Sequence, residues 1–347
     1  MRYCAALFWI ALLAVPPLVR AQVSGCDICH AKPDYKRVLK SGRAQSLYVA
    51  QEHVDASVHA GKQCIDCHVD VVEIPHTAPP QPVNCTQCHY RGNTVGAPQS
   101  DIYQEYKESV HGRAPIAGGA AAACQDCHGA HQILRHTDPR AQVSRDHIAR
   151  VCARCHLDIY TQYRTSVHGV DLEEGRVEVP TCTACHSEHG IRAHDDPQSP
   201  THAANISRTC ATCHAAEGIV GKYGISAGQV VTYDKSFHGV AIRFGMRTVA
   251  NCASCHGIHD IRSSTDPTSS VYVDNIPQTC GKCHPGANAN YARGKIHLDP
   301  RNPDAGIVYY ISSFFKWLTI SVICGLVAHI ALDLFRQGRD RWIGSRS

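Results

Sequence analysis

Nine copies of Cys-x-x-Cys-His run through this 347-residue chain, and that repetition restricts what it can fold into more than any other feature. They read CDICH (Cys26, Cys29, His30), CIDCH (Cys64, Cys67, His68), CTQCH (Cys85, Cys88, His89), CQDCH (Cys124, Cys127, His128) and CARCH (Cys152, Cys155, His156). CTACH (Cys182, Cys185, His186), CATCH (Cys210, Cys213, His214), CASCH (Cys252, Cys255, His256) and CGKCH (Cys280, Cys283, His284) complete the set. Eighteen of the 20 cysteines are used in this way, leaving Cys4 and Cys324 in the two apolar ends. Two thiols three residues apart can add to the two vinyl groups of one haem, and the adjacent histidine then reaches the iron. Zinc ribbons and thioredoxin-like motifs also use Cys-x-x-Cys, but neither needs a histidine directly after every second cysteine. The expectation is nine covalently bound haem c groups.

That expectation accounts for the composition. Residues 22–306 provide about 32 residues per motif, with aromatics at 7% and charged side chains at 18% of the chain. A conventional core is therefore scarce, and the porphyrins themselves must fill the interior. The fold class expected is mostly α and irregular, a haem-packed multihaem cytochrome c with little β, plus one C-terminal transmembrane helix. Of 34 basic and 30 acidic side chains, seven basic and two acidic ones lie in the terminal segments, which leaves 27 and 28 between them. A near-neutral body excludes a nucleic-acid footprint as the main theme.

The ends of the chain predict its location. Residues 1–21 read as a signal peptide: Arg2 opens it, an apolar run follows, and Val19-Arg20-Ala21 offers a cleavage site. Val23-Ser24-Gly25-Cys26 has the form of a lipobox, but Cys26 also opens the first motif and cannot serve both chemistries. Residues 307–335 form an apolar stretch long enough for a transmembrane helix, and 336–347 form a short tail. Tyr309, Tyr310 and Trp317 suit an interfacial belt, and Lys316 can snorkel to it. Arg336, Arg339, Arg341 and Arg346 place the tail in the cytoplasm and the haem region in the periplasm. His329 lies within the span, where it could serve a b-type haem, a quinone or helix packing.

Between the ends the chain repeats. Asp101-Ile-Tyr-Gln-Glu-Tyr-Lys-Glu-Ser-Val-His-Gly112 matches Asp158-Ile-Tyr-Thr-Gln-Tyr-Arg-Thr-Ser-Val-His-Gly169, with a looser copy at Tyr233-Asp-Lys-Ser-Phe-His-Gly239. Each is followed by a motif that continues as His-x-x-His, then Asp-Pro, then a second motif. The organisation expected is a three-haem region at 22–100 and two-haem repeats at 101–156, 157–214 and 215–300, the last carrying a Gly-rich insertion near 216–230. Gly at the end of each D-I-Y-x-x-Y segment is expected to terminate a short helix.

Fifteen histidines lie outside the motifs, and each iron needs a sixth ligand or an open position. After the signal only Met246 remains, so methionine can supply at most one of them. His59, His111, His168 and His238 recur in Ser-[Val/Phe]-His, with His297 in Lys-Ile-His as a fifth. His131, His189 and His259 recur three residues after a motif histidine, and His76 makes nine. His53, His136, His147, His194 and His202 are expected to be ordinary polar residues.

These motifs resemble those of multihaem c-type cytochromes of bacterial respiratory chains, over nearly the whole mature chain. The likeness is to the group with Ser-Val-His-Gly, Cys-x-x-Cys-His-Gly-x-His and a C-terminal membrane helix, whose longer members look like fusions to, or partners of, a cytochrome b-type subunit. The resemblance implies bis-His haems passing electrons between a membrane cytochrome b-type quinone oxidoreductase and periplasmic or outer acceptors, with no catalytic residues. No cytochrome b domain follows the anchor here. Two alternatives stay open: a direct quinol dehydrogenase, or a nitrite, hydroxylamine or sulfur-oxyanion oxidoreductase with one open haem. In the second, the haem of Cys26, Cys29 and His30, outside the repeats, is the candidate.

Overall fold

The computed structural model describes residues 25–76, 78–115, 121–293 and 296–344. The predicted signal peptide, Cys4 and Arg346 lie outside the described residues. What is described is short helices joined by turns, and one long C-terminal helix. A single antiparallel hairpin, Lys36–Val38 with Ala44–Ser46, provides the sheet among the described residues.

The motifs themselves are helical turns. Asp27–His30, Cys64–Cys67, Cys124–His128, Cys182–His186 and Cys252–His256 are one-turn helices, and Cys85–Gln87 is a 3-10 turn. Helical winding puts positions i, i+3 and i+4 on one face. Both cysteines and the histidine of a motif therefore face the same space, as one porphyrin needs.

The repeats fold as helix pairs. Ile102–Glu108 is followed by Val110–Arg113, Leu157–Arg164 by Val167–Glu173, and Gly228–Lys235 by Phe237–Arg243. The break between partners is made by Ser109, Ser166 and Ser236, extended residues that cap the second helix by accepting from the N–H of Gly112, Gly169 and Gly239. The glycine thus lies inside the second helix and does not end the first, which corrects the expectation of a terminating glycine. Its role is steric: a Cβ at Gly112, Gly169 or Gly239 would run into the carbonyl of Tyr106, Tyr163 or Tyr233. It would also lie 2.8, 2.5 or 2.7 Å from the α-carbon of Lys107, Arg164 or Asp234.

By contacts the chain divides into two units, one of residues 25–100 with 124–142 and one of 101–123 with 143–344. The boundary cuts through the first repeat of the sequence, because repeats are stitched to their successors. In the first unit the Val58 N–H donates to the Ile133 carbonyl at 2.8 Å, and Ser57 Oγ donates to the same oxygen at 3.1 Å. In the second unit Val110 donates to Ile191 and Val167 to Ile261, each at 2.8 Å. In all three cases the acceptor is the second residue after the histidine that ends a His-x-x-His.

Little of the chain is conventionally packed. Among the described residues the buried apolar set is Ala50, Leu134, Ala141, Ile148, Ala149, Val151, Val179, Val220, Tyr233 and Ala241. The largest fully buried side chains are four serines, Ser109, Ser166, Ser199 and Ser269. Protein interiors are close-packed, and few of the described residues take part in such an interior.

The C-terminal helix, Ile307–Gly344, begins where the sequence predicts, and its Ile307–Trp342 portion is long and apolar enough to cross a membrane, with none of it buried in the protein. It runs past residue 335 through most of the expected tail. Asp333 holds that continuation, pairing with Arg336 at 3.5 Å and accepting from Gln337 at 2.8 Å. Three- and four-residue spacings of this kind support a helix.

Candidate haem-ligand sites

The structure brings motif histidines close to the predicted distal ones, with ring planes at angles from 8° to 72°. In the first unit His30 faces His76 with ring centres 6.2 Å apart, His89 faces His59 at 5.9 Å, and His68 faces His131 at 6.5 Å. In the second, His156 faces His111 at 6.2 Å, His214 faces His168 at 6.3 Å and His284 faces His238 at 6.1 Å. There too His186 faces His259 at 6.1 Å and His256 faces His297 at 6.2 Å. Of the remaining two, His128 ends the Cys124–His128 helix in the first unit and His189 follows Cys182–His186 in the second.

The separation has a chemical meaning. Two imidazoles bound to opposite sides of one ion, at a metal–nitrogen distance of about 2 Å, have ring centres about 6 Å apart. Ordinary aromatic contacts spread over 4.5–7 Å, whereas these eight pairs fall between 5.9 and 6.5 Å. Each pair joins one motif histidine to one predicted distal histidine. Among the described residues no three His, Cys, Asp or Glu side chains converge on one point, so the four-ligand cluster of a zinc ribbon is not built there. Two neighbouring imidazoles beside a Cys-x-x-Cys turn are residues that would hold a haem, were one bound.

A rule governs the pairing. The Ser-x-His histidines face the second motif that follows them in the chain: His59 with His89, His111 with His156, His168 with His214 and His238 with His284. The His-x-x-His histidines face the motif two before their own: His131 with His68 and His259 with His186. The third repeat has no successor, and His297 faces its first motif histidine, His256.

The protonation state suits ligation. Burial lowers the pKa of His59, His111, His131, His186, His214, His238, His256 and His259, and brings His168 down to about 4. The neutral imidazole that results is the ligating form. Carbonyls then choose the tautomer. Nδ1 of His30 lies 2.6 Å from the Leu47 oxygen, that of His76 2.9 Å from Ala78 and that of His297 2.9 Å from Gln229. A proton on Nδ1 leaves the Nε2 lone pair for a metal. His68 differs, its Nδ1 being buried without a hydrogen-bond partner.

Positioning residues outside the predicted set recur with the repeat. Tyr106, Tyr163 and Tyr233 donate their hydroxyls to the carbonyls of Ala122, Pro180 and Ala250 at 3.1, 2.8 and 3.0 Å, each two residues before a motif cysteine. Each ties a helix pair to the first motif of its repeat. The signal was present in the second tyrosine of D-I-Y-x-x-Y. Ser109 and Ser166 also donate to the Tyr106 and Tyr163 carbonyls at 2.7 and 2.6 Å. His202, set aside as polar, is buried and accepts from the Ala204 N–H. His329 is exposed on the C-terminal helix.

Motif cysteines also meet across motif boundaries. Cys85 and Cys124 share a hydrogen bond in the first unit, and Cys152 with Cys182 and Cys210 with Cys252 do so in the second. Three further steps are electrostatic: Cys67 lies in range of Cys88, Cys185 of Cys210 and Cys213, and Cys255 of Cys280 and Cys283. No protein-family model matches the chain, and no curated protein or solved structure matches it.

Proposed function

We propose that this chain is a membrane-anchored nonahaem cytochrome c that relays electrons between a quinone-linked membrane partner, of the cytochrome b type, and periplasmic or outer acceptors. The single observation that carries the reading is the one-to-one facing of eight motif histidines with eight distal ones at about 6 Å. When bound, the haem irons supply one-electron chemistry. The chain's own part is to hold two neutral imidazoles on each axis, to fix each porphyrin by two thioethers, and to keep neighbouring motifs adjacent.

Two further features support the reading. The cross-motif thiol contacts would put porphyrin edges side by side along the chain, as a relay requires. His76 lies 6.2 Å from His30, where it would cap the haem that the sequence left as the candidate open site, and this supports a carrier over an oxidoreductase. The helix Ile307–Gly344 anchors the protein in this reading, with the haem region outside and the arginines that follow residue 335 inside.

The test is haem quantitation with low-temperature EPR on the purified oxidised chain. Nine haems per polypeptide, all low-spin, is the expected result. A stoichiometric high-spin ferric signal that shifts with nitrite or hydroxylamine would replace the carrier with an enzyme.

A further inference from the structure

His297 is held differently from its counterparts. Three of the four Ser-x-His ligands lie in or beside turns closed by a buried serine, Ser57, Ser109 or Ser166. The His-x-x-His ligands follow three residues behind a motif histidine, so the thioethers of their own motif pin them. His297 has neither support. It sits exposed in a turn, thirteen residues after His284 and ten before Ile307, where the apolar helix begins. His76 also lies in a loop, but motifs close that loop on both sides and Gln81 N–H fastens it to Asp70 at 2.6 Å.

What holds His297 is a clamp on its Nδ1. The Gln229 carbonyl lies 2.9 Å from it and Thr232 Oγ1 3.3 Å from it. Thr232 gives its own proton to Gly228 or Gln229, at 3.0 and 2.9 Å, so its lone pairs are free to face the imidazole N–H. Gln229 and Thr232 both lie in the helix Gly228–Lys235, within the turn before Tyr233. His297 itself has no counterpart in the second repeat, where His186 faces His259.

Building on the haem reading above, we infer that the iron facing His256 is the exchangeable site of the chain, where a small neutral ligand of the carbon monoxide class displaces His297. The iron–Nε2 bond breaks and an iron–carbon bond forms on ferrous iron. No electron moves, and the released imidazole keeps its Nδ1 proton on the Gln229 carbonyl.

The experiment uses the full chain in detergent, reduced with dithionite and mixed with carbon monoxide. The expected uptake is about one equivalent per chain, at a rate independent of carbon monoxide concentration because release of His297 limits it. Thr232→Val, which removes part of the clamp, is expected to raise that rate several-fold. His297→Ala is expected to take up the same single equivalent at a rate proportional to concentration. In its oxidised state it should show one high-spin iron that imidazole converts to low-spin. No uptake by the parent chain, two equivalents in His297→Ala, or a rate that follows His76→Ala instead would overturn the inference. A purified chain without haem would remove the carrier reading itself, a separate outcome.

Discussion

His186 and His259 face each other ring to ring at 6.1 Å although one belongs to the second repeat and the other to the third. His259→Ala should therefore disturb a haem whose cysteines lie in another repeat. The expected result is one high-spin iron among nine in the oxidised EPR spectrum, reversed by imidazole. His194→Ala, outside every pair described above, should leave all irons low-spin.

The glycine of Ser-x-His-Gly gives a stability prediction. At Gly169 an added Cβ would meet the Tyr163 carbonyl and lie 2.5 Å from the Arg164 α-carbon, so the helix carrying His168 must shift. Gly169→Ala is expected to cost about 1–3 kcal/mol, as forced overpacking does. Gly218 in the Glu217–Val220 helix has nothing within 4 Å of its Cβ position. Gly218→Ala should be neutral or stabilise by about 0.5–1 kcal/mol. Thermal unfolding of the two variants, followed at a wavelength outside haem absorption, gives the comparison.

Tyr163→Phe keeps the ring and removes the hydroxyl that reaches the Pro180 carbonyl at 2.8 Å. A loss of about 1 kcal/mol is expected, the usual net worth of such a bond. Tyr106→Phe and Tyr233→Phe should behave alike, because their hydroxyls make the equivalent bond in their own repeats. Denaturant unfolding of the three variants checks both the size and the uniformity.

Chelation separates haem from zinc. Prolonged EDTA should leave the far-UV spectrum unchanged, and the haem should stay on the polypeptide through denaturing electrophoresis because thioethers hold it. A chain that unfolds in EDTA and carries no covalent chromophore would belong to the zinc class.

The sequence showed the motifs, the first helix of the first two repeats and the start of the C-terminal helix, since each depends on neighbours a few residues apart. It also singled out the recurring Ser-x-His and His-x-x-His histidines as a set. It could not say which partner each would meet. His131 reaches back to His68 and His259 to His186 through bonds such as Val58 to Ile133, and no local spacing records a choice made between repeats. The glycine of Ser-x-His-Gly was misread for a related reason. A terminating glycine and one pressed against a carbonyl look the same in sequence, and only the extended serine before it distinguishes them. The helical run beyond residue 335 was hidden because arginine-rich tails and arginine-rich helices share a composition.

The borrowed histidines also bear on how such a chain could grow by duplication. A repeat copied and inserted after the third would lend its His-x-x-His to His256 and would itself need His297. The segment from His297 through the apolar helix then stays fixed, and length is added upstream of it. A deletion that removes one whole repeat leaves the count of lent and borrowed ligands balanced, whereas a break within a repeat strands a histidine on each side. Viable relatives of this chain should therefore differ by whole repeats, each keeping a Lys-Ile-His equivalent ahead of its apolar helix.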